Sequence, residues 1–329
     1  MKILLTGATG FIGGHAVPRL LRDGHELRCL VRSPDRARHL ETRGVTVVAG
    51  DVTDRASVER AMADREGLVH LANVYSFWER DPGVYARVNV DGTRVVMERA
   101  LAAGLRRVVH VSSCVGFGHP PVEPFDEASA PGPELFSEYA RTKRAGDLVA
   151  WGLQEERGLP LVTLMPGAVV GPGDTKATGD YVRALVERRM PARVMEDRTL
   201  TFVHVRDVAE AIARVVARDD LVGERFLLGD ERLTFGQVNR LVGEVAGVPL
   251  PALAMPDGLA AAGAAMLTAL SRLTGQPPPW GMSTDQIRTM RHGFVFDGGK
   301  ARRVLGIAYT PVRTAIEEMV AQLRAAARA

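Results

Sequence analysis

Thr6-Gly7-Ala8-Thr9-Gly10-Phe11-Ile12-Gly13 follows the run Ile3-Leu4-Leu5 and opens an amphipathic stretch that reaches Arg22. An apolar strand, a glycine turn and a helix, in that order, are the context in which glycines at this spacing carry meaning. Gly7 permits the tight turn, Gly10 lets the backbone approach a phosphate, and Gly13 lets the helix lie close to the sheet. The helix start then offers unpaired N–H groups and the positive end of a dipole. The stretch predicts a seat for a dinucleotide pyrophosphate, bounded by Gly7, Gly10, Phe11, Ile12 and Gly13.

The chain beyond repeats the same alternation. Short β-branched runs at Glu26 to Val31, Val45 to Ala49, Leu68 to Leu71, Val108 to Ser112 and Leu161 to Met165 are separated by helical patterns. Those helices are expected near 34–40, at 54–63 after a start at Thr53, at 82–103, and from Tyr139 to about Glu156. Strands without polar alternation, each followed by a helix, imply a parallel sheet covered on both faces. The expected fold is therefore α/β, a Rossmann-type doubly wound parallel sheet with a smaller C-terminal substrate lobe. Residues 1–170 form the dinucleotide-binding domain, with strands near 201–205 and 225–228 still able to join its sheet, so that it also takes in about 200–228. Residues 171–199 and 229–329, broken by Pro249, Pro251, Pro256 and Pro277-Pro278-Pro279, form the substrate-binding lobe. Pro18, inside the first helix, is expected to cost a hydrogen bond and kink it.

Composition excludes several classes. The 329 residues carry a net charge of +3, but only four of the bases are lysines and the arginines sit beside acids on helical stretches. No stripe for nucleic acid results. Cys29 and Cys114 lie about three inter-strand spacings of 4.8 Å apart in the usual strand order, too far to bond. They read as core residues of a reducing compartment. The first strand begins at Lys2, leaving no room for a signal peptide, and Gly258 to Leu270 is too short to span a bilayer. A cytoplasmic protein without a membrane span is expected, and no metal-ligand pattern appears.

Two positions carry chemistry. After the second strand an NAD site usually places an acid against the ribose 2′-hydroxyl; here Leu30-Val31-Arg32-Ser33 places an arginine, which suits a 2′-phosphate. NADP(H) is expected over NAD(H), with Asp51 and Val52 beside the adenine or, for Asp51, in a plain turn. In Ser137-Glu138-Tyr139-Ala-Arg-Thr-Lys143, a phenol and an ammonium stand one helical turn apart. The phenol is a proton donor at neutral pH, the lysine favours its phenolate, and Ser113 at the end of the fifth strand can hold a substrate oxygen.

The chain resembles the extended short-chain dehydrogenase/reductases of the NAD-dependent epimerase/dehydratase superfamily, nearest the dihydroflavonol-reductase-like and hopanoid-associated sugar epimerase branches. The glycine stretch, Gly50-Asp51-Val52, His70-Leu71-Ala72-Asn73, Val88-Asn89-Val90-Asp-Gly-Thr93, Val111-Ser112-Ser113, Tyr139-x-x-x-Lys143, Pro166-Gly-Ala-Val-Val-Gly-Pro172 and Phe202-Val-His-Val-Arg-Asp-Val208 carry the likeness. It implies that Ser113, Tyr139 and Lys143 form the catalytic triad and that Leu71, Ala72, Asn89, Pro166 and Val169 surround the cofactor. It also implies a possible homodimer through the helices after the fourth and fifth strands. Cys114-Val115 stand where the dehydratases of the family carry Asp-Glu, so dehydration is not expected. Arg206 replaces a frequent acid, and Asn73 a frequent alanine. His204 reads as structural, in a turn capped by Asp207.

Substrate walls are expected from Tyr75 to Trp78, from Phe117 to His119, and from Gly173 to Tyr181. Phe77, Trp78 and Tyr181 suit an apolar or ring-shaped carbonyl compound, His119 stands beside them, and Lys176 suits an anionic group. Three functions compete: an NADP-dependent reductase or dehydrogenase of a ketone, aldehyde or secondary alcohol; a sugar epimerase with tightly held cofactor; and a non-catalytic dinucleotide sensor.

Overall fold

The computed structural model describes residues 1–327. Seven parallel strands lie in the order β3-β2-β1-β4-β5-β6-β9: β1 (Lys2–Thr6), β2 (Glu26–Val31), β3 (Thr46–Ala49), β4 (Gly67–His70), β5 (Arg107–Val111), β6 (Leu161–Pro166) and β9 (Arg225–Leu228). Between them run α1 (Phe11–Arg22), α2 (Arg38–Glu41), α3 (Arg55–Met62), α4 (Gly83–Tyr85), α5 (Thr93–Ala102), α6 (Glu138–Arg157) and, ahead of β9, α8 (Val205–Val216). A second, three-stranded sheet joins β7 (Ala168–Val170), β8 (Thr199–His204) and β10 (Glu231–Thr234). Helices α7 (Ala177–Val186), α9 (Phe235–Ala246), α10 (Asp257–Thr274), α11 (Thr284–His292), α12 (Gly299–Leu305) and α13 (Val312–Ala326) complete the chain.

The apolar strands alternate faces rather than polarity. Ile3, Leu5, Cys29, Val69, Val109 and Leu164 pack beneath α1 and α8; Leu4, Leu30, Leu68, Val108 and Leu161 pack beneath α3, α5 and α6. With both faces buried, a strand has no polar side, which is why these runs read as continuously hydrophobic. Cys29 and Cys114 are free and buried, and burial pushes both thiols up to about 12.

Several expectations need correction. The segment near 201–205 does not join the main sheet; β8 pairs with β7 and β10, and only β9 extends the main sheet. Asp54, not Thr53, caps α3, accepting the Ala56 N–H, while the Thr53 hydroxyl donates to Asp51. The helix expected over 82–103 does form, continuous from Gly83 to Ala102, but with a π-helical stretch, Ala86–Gly92, between α4 and α5. His204 itself caps α8 through Nδ1, and Asp207 instead accepts two hydrogen bonds from Thr310. Pro18 leaves α1 unbroken; the amide it lacks would have bonded Gly14, on the exposed side of the helix. Ala301, Leu305 and Ile307, late in the chain, return to the core of the main sheet.

Gly7 adopts φ +76°, and a side chain there would lie 2.7 Å from the Leu71 carbonyl carbon. At Gly13 a Cβ would stand 2.3 Å from the Gly7 oxygen, whereas at Gly14 it meets nothing within 4 Å. Gly13→Ala is therefore expected to cost about 2 kcal/mol or more, and Gly14→Ala to gain about 0.5–1 kcal/mol. Urea unfolding of the two variants measures the contrast, and equal stabilities would remove the close-packing argument.

Candidate active site

The carboxyl ends of β1, β4 and β5 meet at one edge, and the chemistry gathers there. α1 begins with Gly10, with no side-chain cap and no acid in its first turn. Its first N–H groups therefore face outward without partners, as an anion seat requires. Leu71 and Ala72 are tied to Thr6, by its carbonyl at 3.2 Å and its hydroxyl at 3.2 Å, so the loop after β4 is pinned beside the glycine turn. Asn73 turns its amide to the Leu71 carbonyl at 3.1 Å. Pro166 ends β6 and Val169 lies in β7, on the same edge.

At the outer corner Arg32 follows β2, exposed and without an ion-pair partner among the described residues. Asp51 spends one oxygen on the Thr53 N–H and hydroxyl, at 2.9 and 2.8 Å, which makes it a turn residue with one oxygen to spare. Val52 is buried against Gly92. Asn89 is also buried and fully engaged: it accepts from the Val74 N–H at 2.7 Å and donates to the Val74 carbonyl and the Thr142 hydroxyl. It joins the post-β4 loop, the π-turn and α6.

α6 starts at Ser137, whose hydroxyl accepts the Ala140 N–H, and ends in a left-handed Gly158. Tyr139, Lys143 and Gly146 share its buried face. A Cβ at Gly146 would sit 2.3 Å from the Asn89 carbonyl, so only glycine lets α6 come this close. Tyr139 is buried, and burial pushes its phenol well above the ordinary tyrosine range, reinforced by neighbouring Tyr75; the Ser113 hydroxyl pulls the other way. Lys143 donates to the Val111 carbonyl at 3.3 Å, and burial lowers its ammonium while Asp147 opposes this. Burial is the largest influence on the phenol here, and it favours the protonated form.

Tyr75 and Phe77 meet the Tyr139 ring edge-on, at 5.2 and 6.0 Å between centroids, and form an apolar wall. Trp78 lines an open cleft of about 1000 Å³ beside them. The other expected substrate residues do not line that cleft. The Tyr181 hydroxyl donates to Asn239 at 2.5 Å and its ring packs on Phe235 in the small lobe. His119 belongs to a cluster with Phe136 and His292. Lys176 is exposed just before α7, its N–H held by Asp174. Asp174 escaped the sequence reading; buried, with its carboxyl raised to about 6, it bonds the Lys176 and Gly179 amides and faces Tyr75. Asp147 also escaped it, though its place four residues after Lys143 on the same helical face was legible.

These features define a nicotinamide-dinucleotide oxidoreductase, and the free helix start, the glycine turn and the Tyr–Lys pair fit that cofactor. The chain belongs to the NAD dependent epimerase/dehydratase family, whose model matches residues 3–229. It is 33% identical over 329 residues to sterol demethylase protein B of Methylococcus capsulatus, covering 98% of each chain. To ceramide reductase of Caulobacter vibrioides it is 30% identical over 323 residues, 97% of this chain and 88% of that protein. The crystal structure of gox2253 superposes with a TM-score of 0.84 at 31% identity, over 99% of both chains. No helix among the described residues is long and apolar enough to cross a membrane, and no metal-holding cluster occurs among them.

Beneath Ser113, Tyr139 and Lys143 lies a buried polar column. Thr6 bonds His70 at 2.8 Å, His70 stacks on His110 at 5.5 Å, and His110 and Ser112 both bond Asp147, at 3.0 and 2.6 Å. Burial holds both imidazoles below their ordinary 6.5, each is disfavoured by Lys143, and only the Asp147 bond works against this for His110. On acidification the unfolded chain thus takes up these protons before the folded chain does. Their stability contribution is whole above about pH 6.5 and drains as the pH falls below it. His110→Gln is expected to lose less Tm than the wild type between about pH 7.5 and 5.5, by about 2 °C. Parallel melts at the two pH values check it; identical losses would show that His110 titrates alike folded and unfolded.

Proposed function

We propose that the chain is an NADPH-dependent reductase of apolar ketones or aldehydes, reversible toward the secondary or primary alcohol. The observation that carries this reading is the buried, protonated Tyr139 phenol, one turn from buried Lys143 and beside Ser113, at the edge where the glycine turn lies. When bound, the nicotinamide supplies a hydride to the carbonyl carbon. The Ser113 hydroxyl donates to the carbonyl oxygen and orients it. The Tyr139 phenol gives its proton to that oxygen as negative charge develops, and the Lys143 ammonium stabilises the phenolate left behind. Gly7, Gly10, Phe11, Ile12 and Gly13 hold the pyrophosphate, Arg32 the 2′-phosphate, and Leu71, Ala72, Pro166 and Val169 border the ring.

A phenol held protonated is set for donation, which favours the reducing direction near neutrality. Buried Cys114 and Val115 beside Ser113 supply no acid–base pair for dehydration. The wall beside Tyr139 is aromatic, and its one polar group, the Tyr75 hydroxyl, bonds Thr178. A sterol-named and a ceramide-named relative along almost the whole chain agree with an apolar substrate. A homodimer through α5 and α6, where Leu148 stands 68% exposed, is part of the same reading.

Tyr139→Phe is expected to lower kcat for ketone reduction about 10²–10⁴-fold with NADPH binding unchanged. The reducing kcat should hold level from about pH 7 to 9 and fall only where the phenol ionises, while alcohol oxidation climbs with pH. NADPH absorbance follows both, and a Tyr139→Phe enzyme as active as the wild type would end the assignment. Arg32→Ala is expected to raise KM for NADPH about 10–100-fold while leaving that for NADH within about twofold. Equal losses with the two cofactors would mean Arg32 does not touch the 2′-phosphate.

A further inference from the structure

α10 turns an apolar stripe to solvent. Leu259, Met266, Leu270 and Leu273 are exposed at 64%, 69%, 53% and 86%. At about 100° per residue these four positions fall within roughly 60° of arc. The face that the small lobe buries carries Ala260, Ala264 and Ser271 instead. Single exposed apolar residues are ordinary, but a stripe along the whole length of a helix marks a contact surface.

The charges around this stripe that lack an ion-pair partner are mostly positive. Arg80, Arg272 and Arg288 are exposed and, among the described residues, none is paired with a carboxylate. Of the nearby acids only Glu79 is also unpaired; Asp81 is engaged with Arg87, Glu138 with Arg141, and Asp257 with Arg198. Asp285 gives an oxygen to the Glu138 N–H. Arg80 lies across Gly275, where α10 ends, and Trp280, a few residues further on, is again half exposed. Leucine and methionine on one face, with free arginines at one end, is the pattern of a helix lying in a lipid headgroup layer.

The geometry points to α10 as a docking helix for an anionic bilayer surface, its leucine–methionine stripe among the acyl chains and Arg80, Arg272 and Arg288 on lipid phosphates. The open cleft gives that surface a use. Ala265, Thr268 and Ala269 of α10 form one wall and Phe77 and Trp78 the other. Phe77 in turn touches the Tyr139 ring. An apolar molecule leaving the bilayer at α10 thus meets a cleft whose Phe77 wall backs onto the Tyr139 ring, a use that rests on the reductase reading, whereas the docking does not.

Flotation of the full chain with phosphatidylcholine vesicles, and with vesicles of equal parts phosphatidylcholine and phosphatidylglycerol, tests the docking without any turnover. Failure of the reductase reading would therefore leave its result standing. The wild type should float with the mixed vesicles and much less with the neutral ones. Replacing Leu259, Met266 and Leu270 together by Gln should weaken this at least about tenfold, and Arg272→Gln about fivefold. The replaced side chains are exposed, so melting temperatures should not change; should the triple variant unfold, Met266→Gln alone carries the test. No flotation by the wild type, undiminished flotation by the stripe variants, or a smaller apparent mass of those variants in gel filtration without flotation of the wild type would overturn the proposal. The last outcome would assign the stripe to a second copy of the chain.

Discussion

The contact between Gly146 and the Asn89 carbonyl sets the spacing on which the site depends. A side chain at Gly146 would force α6 away by more than an ångström, because its Cβ would fall 2.3 Å from that oxygen. The same helix face carries Tyr139 and Lys143, so any retreat of α6 withdraws the phenol and the ammonium together. Asn89 extends the clamp with its side chain, holding Val74 on one side and Thr142 on the other. The loop that bears Tyr75 and Phe77, the π-turn and α6 are therefore joined through one buried side chain. A π-turn is an uncommon element that concentrates at functional sites. Here it lets a buried asparagine reach two neighbours at once.

The polar column below this clamp shows which electrostatic effect wins. Two imidazoles, a carboxylate and an ammonium cannot all be charged in a closely packed interior. Burial and Lys143 both act against charging His70 and His110, while Asp147 alone supports Lys143 and His110. Burial thus disfavours the charged form of both stacked imidazoles, and Asp147 opposes this only at His110. His70 and His110 then serve as hydrogen-bonding spacers beneath the strand ends. The His110 Nδ1 has no partner among the described residues, which fits a neutral ring better than a cation.

Much of this was legible in the chain because it is local. The glycine turn, the alternation of strands and helices, and the i, i+4 spacing of Tyr139 and Lys143 each follow from a few consecutive residues and the periodicity of the backbone. What escaped is what distant segments decide. Asn89 reads as a cofactor neighbour, yet its amide is consumed by Val74 and Thr142, a fact set by how the π-turn meets α6. Tyr181 has an aromatic ring suited to a pocket, but Asn239, fifty-eight residues later, claims its hydroxyl. The direction of the Tyr139 shift was also hidden, since the depth of burial cannot be read from the Tyr-Lys spacing.

The second sheet explains why the small lobe meets the main sheet at one edge. β6 and β7 are nearly continuous, separated by Gly167, where a Cβ would lie 2.3 Å from the Thr201 carbonyl. The glycine lets one chain leave the main sheet after pairing with β9 and begin pairing with β8. β8, with Leu200, Phe202 and Val203 among Thr199, Thr201 and His204, suits either sheet by composition, so the sequence alone allows 201–205 to join the first. Close approach at Gly167 decides it, because the fork needs a residue without a side chain at the branch. Since Pro166 and Val169 flank that fork, any shift of the small lobe bears directly on the strand end expected to border the cofactor. The lobe is anchored in return by α8, which leaves β8 at the His204 cap and packs on α1 beneath the main sheet.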